Sequence, residues 1–267
     1  KNMSQRLQVA LRAARAAGKV LKEKLSDSRE VHFKGRRDIV TDADHAADQT
    51  IQRIIHARFP NDHFVSEEGD ANERKALWAR AAKSKDEYLW VIDPLDGTTN
   101  YWHRLPAFCT SIALYHANAV EIGAVYDPLR DELYGAERGK GAYLNGKRIA
   151  TSRVNRFIDA VIGSEWARAT QVRKRTIAIY SKILMRSMSS RAFGSAALSL
   201  CYVAVGRLDG YFHLSLSPWD VAAGGLIIEE AGGRVTTPGG AAWSVHSKAY
   251  VASNGILHNE LLKYFKN

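Results

Sequence analysis

Apolar residues recur every three or four positions in several parts of the chain, which is the spacing that places them on one face of an α-helix. One such stripe covers residues 3–25, and a second covers 42–58, where Ala47, Ile51 and Ile55 share a face. Further helices are predicted at 171–184, 195–205, 219–231 and 256–265, and the helix at 219–231 is bounded by Pro218 at its start and by Gly232-Gly233 at its end. The amphipathic helices at 3–25 and 42–58 are expected to pack their apolar faces against other elements.

Short apolar runs between the helices predict buried strands. The clearest is YLWVI at 88–92, and the runs at 108–115 and 120–126 predict a hairpin that turns near 117–119. Further strands are predicted at 132–134, 142–144, 208–214 and 249–252. Because the helices are interspersed with consecutive antiparallel strands, the order predicts a layered α+β fold rather than a repeat of parallel βαβ units.

The composition limits the class of protein. The 267 residues contain no Pro/Gly/Ser-rich linker, so we expect residues 1–267 to form a single domain. No apolar run is long enough to span a membrane, so we expect no membrane partner. Two cysteines, Cys109 and Cys201, are too few for a disulfide framework. Their apolar neighbours favour buried free thiols in a cytoplasmic protein.

The net charge is +10, and part of it is concentrated in one segment. Residues 168–191 contain seven Lys and Arg and no acid. Such a surface favours an anionic partner, either a small phosphorylated substrate or a nucleic acid. A solvated basic face without a ligand explains the segment equally well, because charge alone carries no information about a site.

The densest chemical signal is the run DPLDGTTN, which follows the YLWVI strand directly. Asp93 and Asp96 stand three residues apart in it, and Gly97 permits a close approach of the backbone to a ligand. Buried like charges converge only when cations join them. Oxygen ligands without Cys or His favour Mg²⁺ over Zn²⁺. An ordinary polar turn is the alternative, since Asp, Pro and Gly all favour turns.

Acidic residues also stand at the ends of three other predicted elements. Glu67 follows a short β-like piece, and Asp220 lies at a predicted helix start. Asp42 and Asp44 lie in the first turn of a helix that Thr41 or Asp42 is expected to cap. Each of these positions has a purely structural explanation, because the helix dipole favours acids at an N-terminus.

Taken together, these segments resemble the inositol monophosphatase family. The resemblance rests on Glu67-Glu68, WVIDPLDGTTNYWHRLP, Gly194-Ser195-Ala196-Ala197, PWDVAAG at 218–224 and EEAGG at 229–233. The segments match in order and spacing from about residue 34 to residue 254. The resemblance implies a five-layered α-β-α-β-α sandwich, of the type shared with fructose-1,6-bisphosphatase, and a homodimer. It also implies a Mg²⁺-dependent phosphatase that lithium inhibits.

The resemblance also implies roles for individual residues. Two or three Mg²⁺ would be held by the side chains of Glu67, Asp93, Asp96 and Asp220 and by the carbonyl of Leu95. Glu67 and Thr98 would position and activate the attacking water, with Asp44 bonded to Thr98. The residues implied to bind substrate are Leu95, Asp96, Gly97, Thr98, Arg191, Gly194, Ser195, His213 and Asp220.

One position departs from the family pattern. Many inositol phosphatases have a Glu shortly before the PWD motif, where this chain has His213. A carboxylate accepts hydrogen bonds from two vicinal hydroxyls, which a histidine cannot match. His213 is therefore expected either to face a second anionic group of the substrate or to be a structural residue.

The reaction that the resemblance favours is hydrolysis of inositol-1-phosphate to inositol and phosphate. Fructose-1,6-bisphosphatase, histidinol-phosphatase and NADP(H) phosphatase activities are the alternatives within the same family. An accessory protein that binds RNA or the transcription machinery is the alternative of another class, and the basic segment at 168–191 favours it.

Overall fold

A computed structural model describes residues 3–26, 31–35 and 38–266, and for residues 31–35 and 38–39 it describes the backbone alone. The α-helices in this part of the chain are α1 (Gln5–Lys24), α2 (Asp42–His56), α3 (Ala71–Ala81), α4 (Thr98–Trp102), α5 (Thr170–Leu184), α6 (Ala196–Ala204), α7 (Pro218–Glu230) and α8 (His258–Leu262). The strands are β1 (Val31–Gly35), β2 (Asp38–Thr41), β3 (His63–Ser66), β4 (Leu89–Asp96), β5 (Cys109–His116), β6 (Ala119–Asp127), β7 (Glu132–Glu137), β8 (Gly141–Leu144), β9 (Lys147–Arg148), β10 (Val161–Ser164), β11 (Ser189–Arg191), β12 (Gly210–His213), β13 (Arg234–Thr236) and β14 (Tyr250–Ser253).

Most strands belong to two sheets. The larger sheet has seven strands in the order β3-β4-β5-β6-β7-β8-β9, and its neighbours are antiparallel except for the parallel pair β3 and β4. The smaller sheet has the order β11-β10-β12-β14-β13. In it β10 lies parallel to both β11 and β12, while β14 is antiparallel to its neighbours. A separate antiparallel pair is formed by β1 and β2.

The helices cover both sheets and separate them. Helices α1 and α2 pack on one face of the larger sheet, where Leu7 and Ile51 join Ile112 and Ala124 in one buried cluster. Helices α6 and α7 lie between the sheets and share a second cluster with both. Helices α5 and α8 cover the outer face of the smaller sheet. The expected five-layered α-β-α-β-α sandwich is thereby confirmed.

A glycine brings β6 unusually close to α7. A Cβ atom on Gly123 would lie 2.7 Å from the Ala223 carbonyl oxygen and 3.0 Å from its Cα, which is closer than such atoms pack. Since both partners are backbone atoms, they cannot move aside as a side chain would. The larger sheet and the central helix layer therefore depend on the missing side chain for their spacing.

The apolar stripes predicted the long helices correctly, and Thr41 caps α2 as expected. Other elements were missed, namely α3, β1, β2, β9, β10, β11 and β13. These strands have two to five residues, too few for a period to be visible. Helix α3 buries only Leu77 and Ala81, so it has almost no apolar stripe.

Both cysteines are buried free thiols, as predicted. Across the ranges that the structure describes, none of the helices is at once long enough and apolar enough to cross a membrane.

Candidate functional site

The DPLDGTTN run begins inside β4 rather than in a turn after it. Strand β4 continues to Asp96, and its register with β5 shifts between Asp93 and Asp96. Pro94 falls in this irregularity, which a proline in a central strand requires because it has no N–H to donate. The Thr110 hydroxyl donates to the Pro94 carbonyl at 3.0 Å. The expected turn is thus a strand distortion that brings both aspartates to one end of the sheet.

Three acidic side chains from two distant segments meet at this end. Asp93, Asp96 and Asp220 each offer a carboxylate oxygen, and these three oxygens lie within 4.8 Å of one another. Asp220 stands in the first turn of α7, and its Oδ2 accepts the Ser217 N–H at 2.7 Å. The helix start and the distorted strand together produce an oxygen cluster of the size that surrounds a metal ion.

The electrostatics of the cluster favour a cation. Burial and the charges of Glu67 and Asp96 raise the pKa of Asp93 well above its ordinary value. Burial also raises the pKa of Asp96, and burial together with the charge of Asp96 raises the pKa of Asp220 to about 7. A nearby cation stabilises the ionised form of such buried, mutually repelling carboxylates. Oxygen donors alone match the preference of Mg²⁺, so these residues fit the ion that the sequence implies.

Glu67 lies beside the three aspartates but outside the 4.8 Å group. It follows β3, which is parallel to β4, and its N–H donates to the Ile92 carbonyl at 3.0 Å. Its charge is a cause of the raised pKa of Asp93. The Arg168 guanidinium lies 3.9 Å from Glu67 Oε1. Glu67 is therefore placed at the edge of the cluster, where it could bind an ion shared with Asp93.

Asp44 reaches the same region from the start of α2. Its Oδ2 accepts both the Thr41 N–H at 2.8 Å and the Thr41 hydroxyl at 2.6 Å, so Asp44 is the partner of the N-cap residue Thr41 in the capping box of α2. The Thr98 hydroxyl lies 3.4 Å from Asp44 Oδ1 and 3.1 Å from the Leu95 carbonyl oxygen. The expected contact between Asp44 and Thr98 is thus present as a long hydrogen bond.

The residues expected on the substrate side are only partly brought together. The Ser195 hydroxyl donates to Asp96 Oδ2 at 2.5 Å. The Gly194 carbonyl lies against Gly97, where a Cβ atom would be 3.3 Å away. Arg191 is exposed, and its guanidinium bonds to Ser189 and Ser190 of its own strand. The structure therefore places Gly194 and Ser195 at the acid cluster, while the described contacts of Arg191 lie elsewhere.

His213 ends β12, shortly before the helix that carries Asp220. It is 6% exposed, and its Nδ1 accepts the Ser215 N–H at 3.0 Å. Burial, together with the positive charge of Arg168, lowers the pKa of His213 to about 4. The ring is therefore neutral at pH 7, with its proton on Nε2. It offers one hydrogen-bond donor and no charge.

Comparison with known proteins agrees with this arrangement. The family description "Inositol monophosphatase family" matches residues 2–267. The chain belongs to the inositol monophosphatase family. Inositol monophosphatase 3 of Solanum lycopersicum is 37% identical over 265 residues, covering 98% of this chain and 97% of that protein. The protein named Nus factor SuhB of Escherichia coli strain K12 is 40% identical over 233 residues, covering 86% and 84%.

Solved structures of the family agree with the fold. The extragenic suppressor protein suhB from Bartonella henselae has a TM-score of 0.90 at 32% identity, covering 99% of both chains. An IMPase/NADP phosphatase complexed with Mg²⁺ and phosphate has a TM-score of 0.79 at 26% identity, covering 93% of this chain and 90% of that one. Inositol monophosphatase family membership makes the chain a phosphoric monoester hydrolase by class, with Mg²⁺ as the typical ion.

Two residues near the site were not among the predicted site residues, although Arg168 belongs to the basic segment at 168–191. Glu165 and Arg168 follow β10, which the apolar pattern did not predict. Glu165 is 7% exposed and accepts hydrogen bonds from the segment that contains Gly194. The apolar run at 160–163 just before them was a signal for a strand. If this run is a strand parallel to β12, both strands end at the same edge of the sheet. Residues that follow the run are then expected near His213, which ends β12.

Proposed function

We propose that the chain hydrolyses a small phosphate monoester, with inositol-1-phosphate as the first candidate. The observation that carries the proposal is the set of three carboxylate oxygens within 4.8 Å, from residues whose pKa values burial and mutual repulsion raise. Asp93, Asp96 and Asp220 would hold Mg²⁺, with Glu67 and the Leu95 carbonyl completing the ligands. Mg²⁺ would polarise the phosphate oxygens and make a nucleophilic water available near neutral pH.

The remaining residues would act by positioning. The Thr98 hydroxyl lies between two acceptors, Asp44 Oδ1 and the Leu95 carbonyl, and together they would orient Thr98 toward the attacking water. Gly97, with φ of 93°, turns the backbone so that the N–H groups of residues 97 and 98 would bind phosphate. Positioning of this kind supplies much of the catalysis in phosphoryl transfer, because the protein contributes little covalent chemistry.

The residues on the substrate side bear on the choice between an inositol phosphate and a nucleotide phosphate. His213 offers a single neutral donor where a Glu would accept two hydroxyl groups of inositol. Arg168 lies near Glu67, and its charge adds to the effect of burial on His213 and opposes the rise in the pKa of Asp220, so positive charge stands beside the site. The structural relative described as IMPase/NADP phosphatase makes a nucleotide phosphate a second candidate.

A substrate panel tests the proposal. The purified protein is assayed for phosphate release from inositol-1-phosphate, fructose 1,6-bisphosphate, histidinol phosphate and NADP, with Mg²⁺ or with a chelator. We expect Mg²⁺-dependent release from at least one ester and its loss in D220N. The control D86N changes an exposed aspartate far from the cluster and should keep wild-type rates. Metal-independent rates, or full activity in D220N, would contradict the metal assignment.

An additional role in transcription is the second candidate. The relative named Nus factor SuhB is 40% identical, and residues 168–191 form a basic segment that includes α5. Contacts with RNA phosphates would make binding fall steeply with salt. In a filter-binding assay, we expect D93N to keep any RNA affinity, because the catalytic acids take no part in it. Salt-insensitive binding, or none, would remove this candidate.

We also infer that the protein forms a homodimer. Met185 and Met188 are 81% and 63% exposed after α5, and Ile177 is 52% exposed on that helix. Large apolar side chains that stay exposed along one segment favour an interface between subunits. Light scattering of the purified protein should give twice the mass of the chain, and a monomer at micromolar concentration would contradict the inference.

A further inference from the structure

Glu165 is a buried acid that the proposed reaction does not use. Its Oε1 accepts the Phe193 N–H at 3.0 Å and the Ser199 hydroxyl at 3.0 Å, and its Oε2 accepts the Gly194 N–H at 2.9 Å. A carboxylate that receives two successive backbone N–H groups holds that peptide in one orientation, because both oxygens are engaged at once. Glu165 therefore holds the turn at residues 193–194.

The same turn is held from its other side by the DPLDGTTN segment. The Asn100 side-chain amide donates to the Phe193 carbonyl and to the Ala107 carbonyl, both at 2.6 Å. Gly194 has φ of 77°, and a Cβ atom there would lie 2.7 Å from Asn100 Nδ2. The turn thus lies closely packed between Glu165 and Asn100, with its N–H groups facing one and a carbonyl facing the other.

The residues after the turn contact a proposed metal ligand. The Ser195 hydroxyl and the Ala197 N–H both donate to Asp96 Oδ2, at 2.5 and 2.7 Å. The Cys109 thiol lies 3.8 Å from the same oxygen. With these donors gathered on Oδ2, Oδ1 is the Asp96 oxygen that remains to bind an ion.

We propose that Glu165 is a positioning residue for the metal centre: it holds the 193–194 turn so that Ser195 and Ala197 occupy Asp96 Oδ2 and direct Oδ1 toward Mg²⁺. The inference rests on the proposed function, because it concerns the affinity of that site for its ion. Groups that orient a ligand in this way alter metal affinity about ten- to a hundredfold when they are changed.

The test measures metal affinity as well as turnover. In E165Q, an amide replaces one carboxylate oxygen, so one of the two backbone N–H groups loses its acceptor while the side-chain shape is kept. We expect the Mg²⁺ concentration for half-maximal activity to rise about ten- to a hundredfold, with kcat largely recovered at saturating Mg²⁺. Calorimetric titration of the protein with Mn²⁺, without substrate, should show the same loss of affinity.

S199A is the matched control. It removes the Ser199 hydroxyl, which donates to Glu165 Oε1, and leaves the hydrogen bonds from the Phe193 and Gly194 N–H groups in place. A merely structural role would lower the unfolding temperature of both variants and leave the metal affinity of both unchanged. The positioning role predicts weaker metal binding in E165Q alone. In the double variant E165Q/S195A, the losses should be less than additive, because both changes act on Asp96.

Several results would overturn the proposal. A folded E165Q with wild-type Mn²⁺ affinity contradicts it, even if turnover falls. If E165Q does not fold, E165D takes its place, since it keeps the charge but withdraws the carboxylate by one methylene group, and wild-type affinity there is equally contradictory. Absence of Mg²⁺-dependent activity in the wild-type protein would instead count against the proposed function, so the two failures are distinguishable.

Discussion

At the residue scale, the site depends on which oxygen of each carboxylate accepts hydrogen bonds from the protein and which oxygen is left to bind a ligand. Asp44 gives one oxygen to the helix cap and the other to Thr98, and Asp220 gives one to the Ser217 N–H. Buried acids of this kind carry a large cost of desolvation unless hydrogen bonds and counter-charge offset it. We therefore expect the cluster to bind cations rather than to add to the stability of the fold.

His213 offers a prediction about specificity. H213E replaces one neutral donor with a carboxylate that accepts two hydroxyl groups, so we expect kcat/KM for inositol-1-phosphate to rise relative to that for NADP. The measurement is the ratio of the two kcat/KM values in the variant and in the wild-type protein. H213Q serves as a control, because it is polar but uncharged. An unchanged ratio in H213E would make His213 a structural residue.

At the element scale, spacing between layers is set by small residues. Gly123 permits β6 to approach α7, and Gly225 lies against the Trp243 ring, where a Cβ atom would be 2.6 Å away. The apolar stripes of the sequence do not indicate such approaches, since a glycine in a strand has several explanations. Strand β6 was predicted correctly, but its distance from α7 was not predictable.

The close approach at Gly123 leads to a stability prediction. G123A forces a methyl group against the Ala223 backbone, so we expect a loss of about 1–3 kcal/mol in the free energy of unfolding. Urea denaturation measures it. The control is G239A, where the nearest atom to a new Cβ is 3.9 Å away. Equal stability of G123A and the wild-type protein would mean that the two layers can separate without cost.

His258 leads to a prediction about pH. It is fully buried at the start of α8, between the Thr236 and Ser253 hydroxyls at 2.9 Å each, and burial lowers its pKa from 6.5 to about 4. The unfolded chain then binds a proton that the folded protein does not, so stability falls as pH falls from 6.5 toward 4. The full effect corresponds to about 3 kcal/mol.

H258Q tests this linkage. The variant should be less stable than the wild-type protein at pH 7, and the difference should shrink as pH falls toward 4, because only the wild-type protein loses the histidine contribution. Comparing the two proteins at each pH cancels the acid cluster, whose raised pKa values act in the opposite direction. A constant difference across this range would contradict the lowered pKa.

At the scale of the whole molecule, metal binding should be coupled to folding. The three aspartates come from β4 and α7, which only the folded sandwich brings together, so the unfolded chain has no such site. An ion that binds only the folded state stabilises it, by about 2.7 kcal/mol at a concentration of 100 times Kd. We expect Mg²⁺ to raise the Tm of the wild-type protein.

D220N distinguishes stabilisation by Mg²⁺ bound at the acid cluster from a general effect of added salt on Tm. In a chelator at pH 7.5, we expect D220N to unfold at the wild-type Tm or above it, because one buried charge is removed. Its Tm should not rise with Mg²⁺ as that of the wild-type protein does. Scanning calorimetry of both proteins with and without Mg²⁺ measures this, and an equal rise in Tm would show that the ion binds elsewhere.

The sequence by itself determined the elements with a strong period and the motif that carries the chemistry. The stripes of α1 and α2, the proline and glycine signals that bound α7, the runs of β4 and β5, and DPLDGTTN are local patterns, and local sterics and burial are enough to specify them. The resemblance carried by the motifs extended this to the family and its layered fold.

Only the tertiary structure decided which of the candidate residues meet. Asp220 is more than a hundred residues from Asp93, and its position depends on the packing of α7 between the two sheets. In the same packing, the Arg191 guanidinium contacts Ser190 of its own strand, and the Glu165 carboxylate contacts the 193–194 turn. Such contacts are set by the geometry of the packed layers, which no period along the chain encodes.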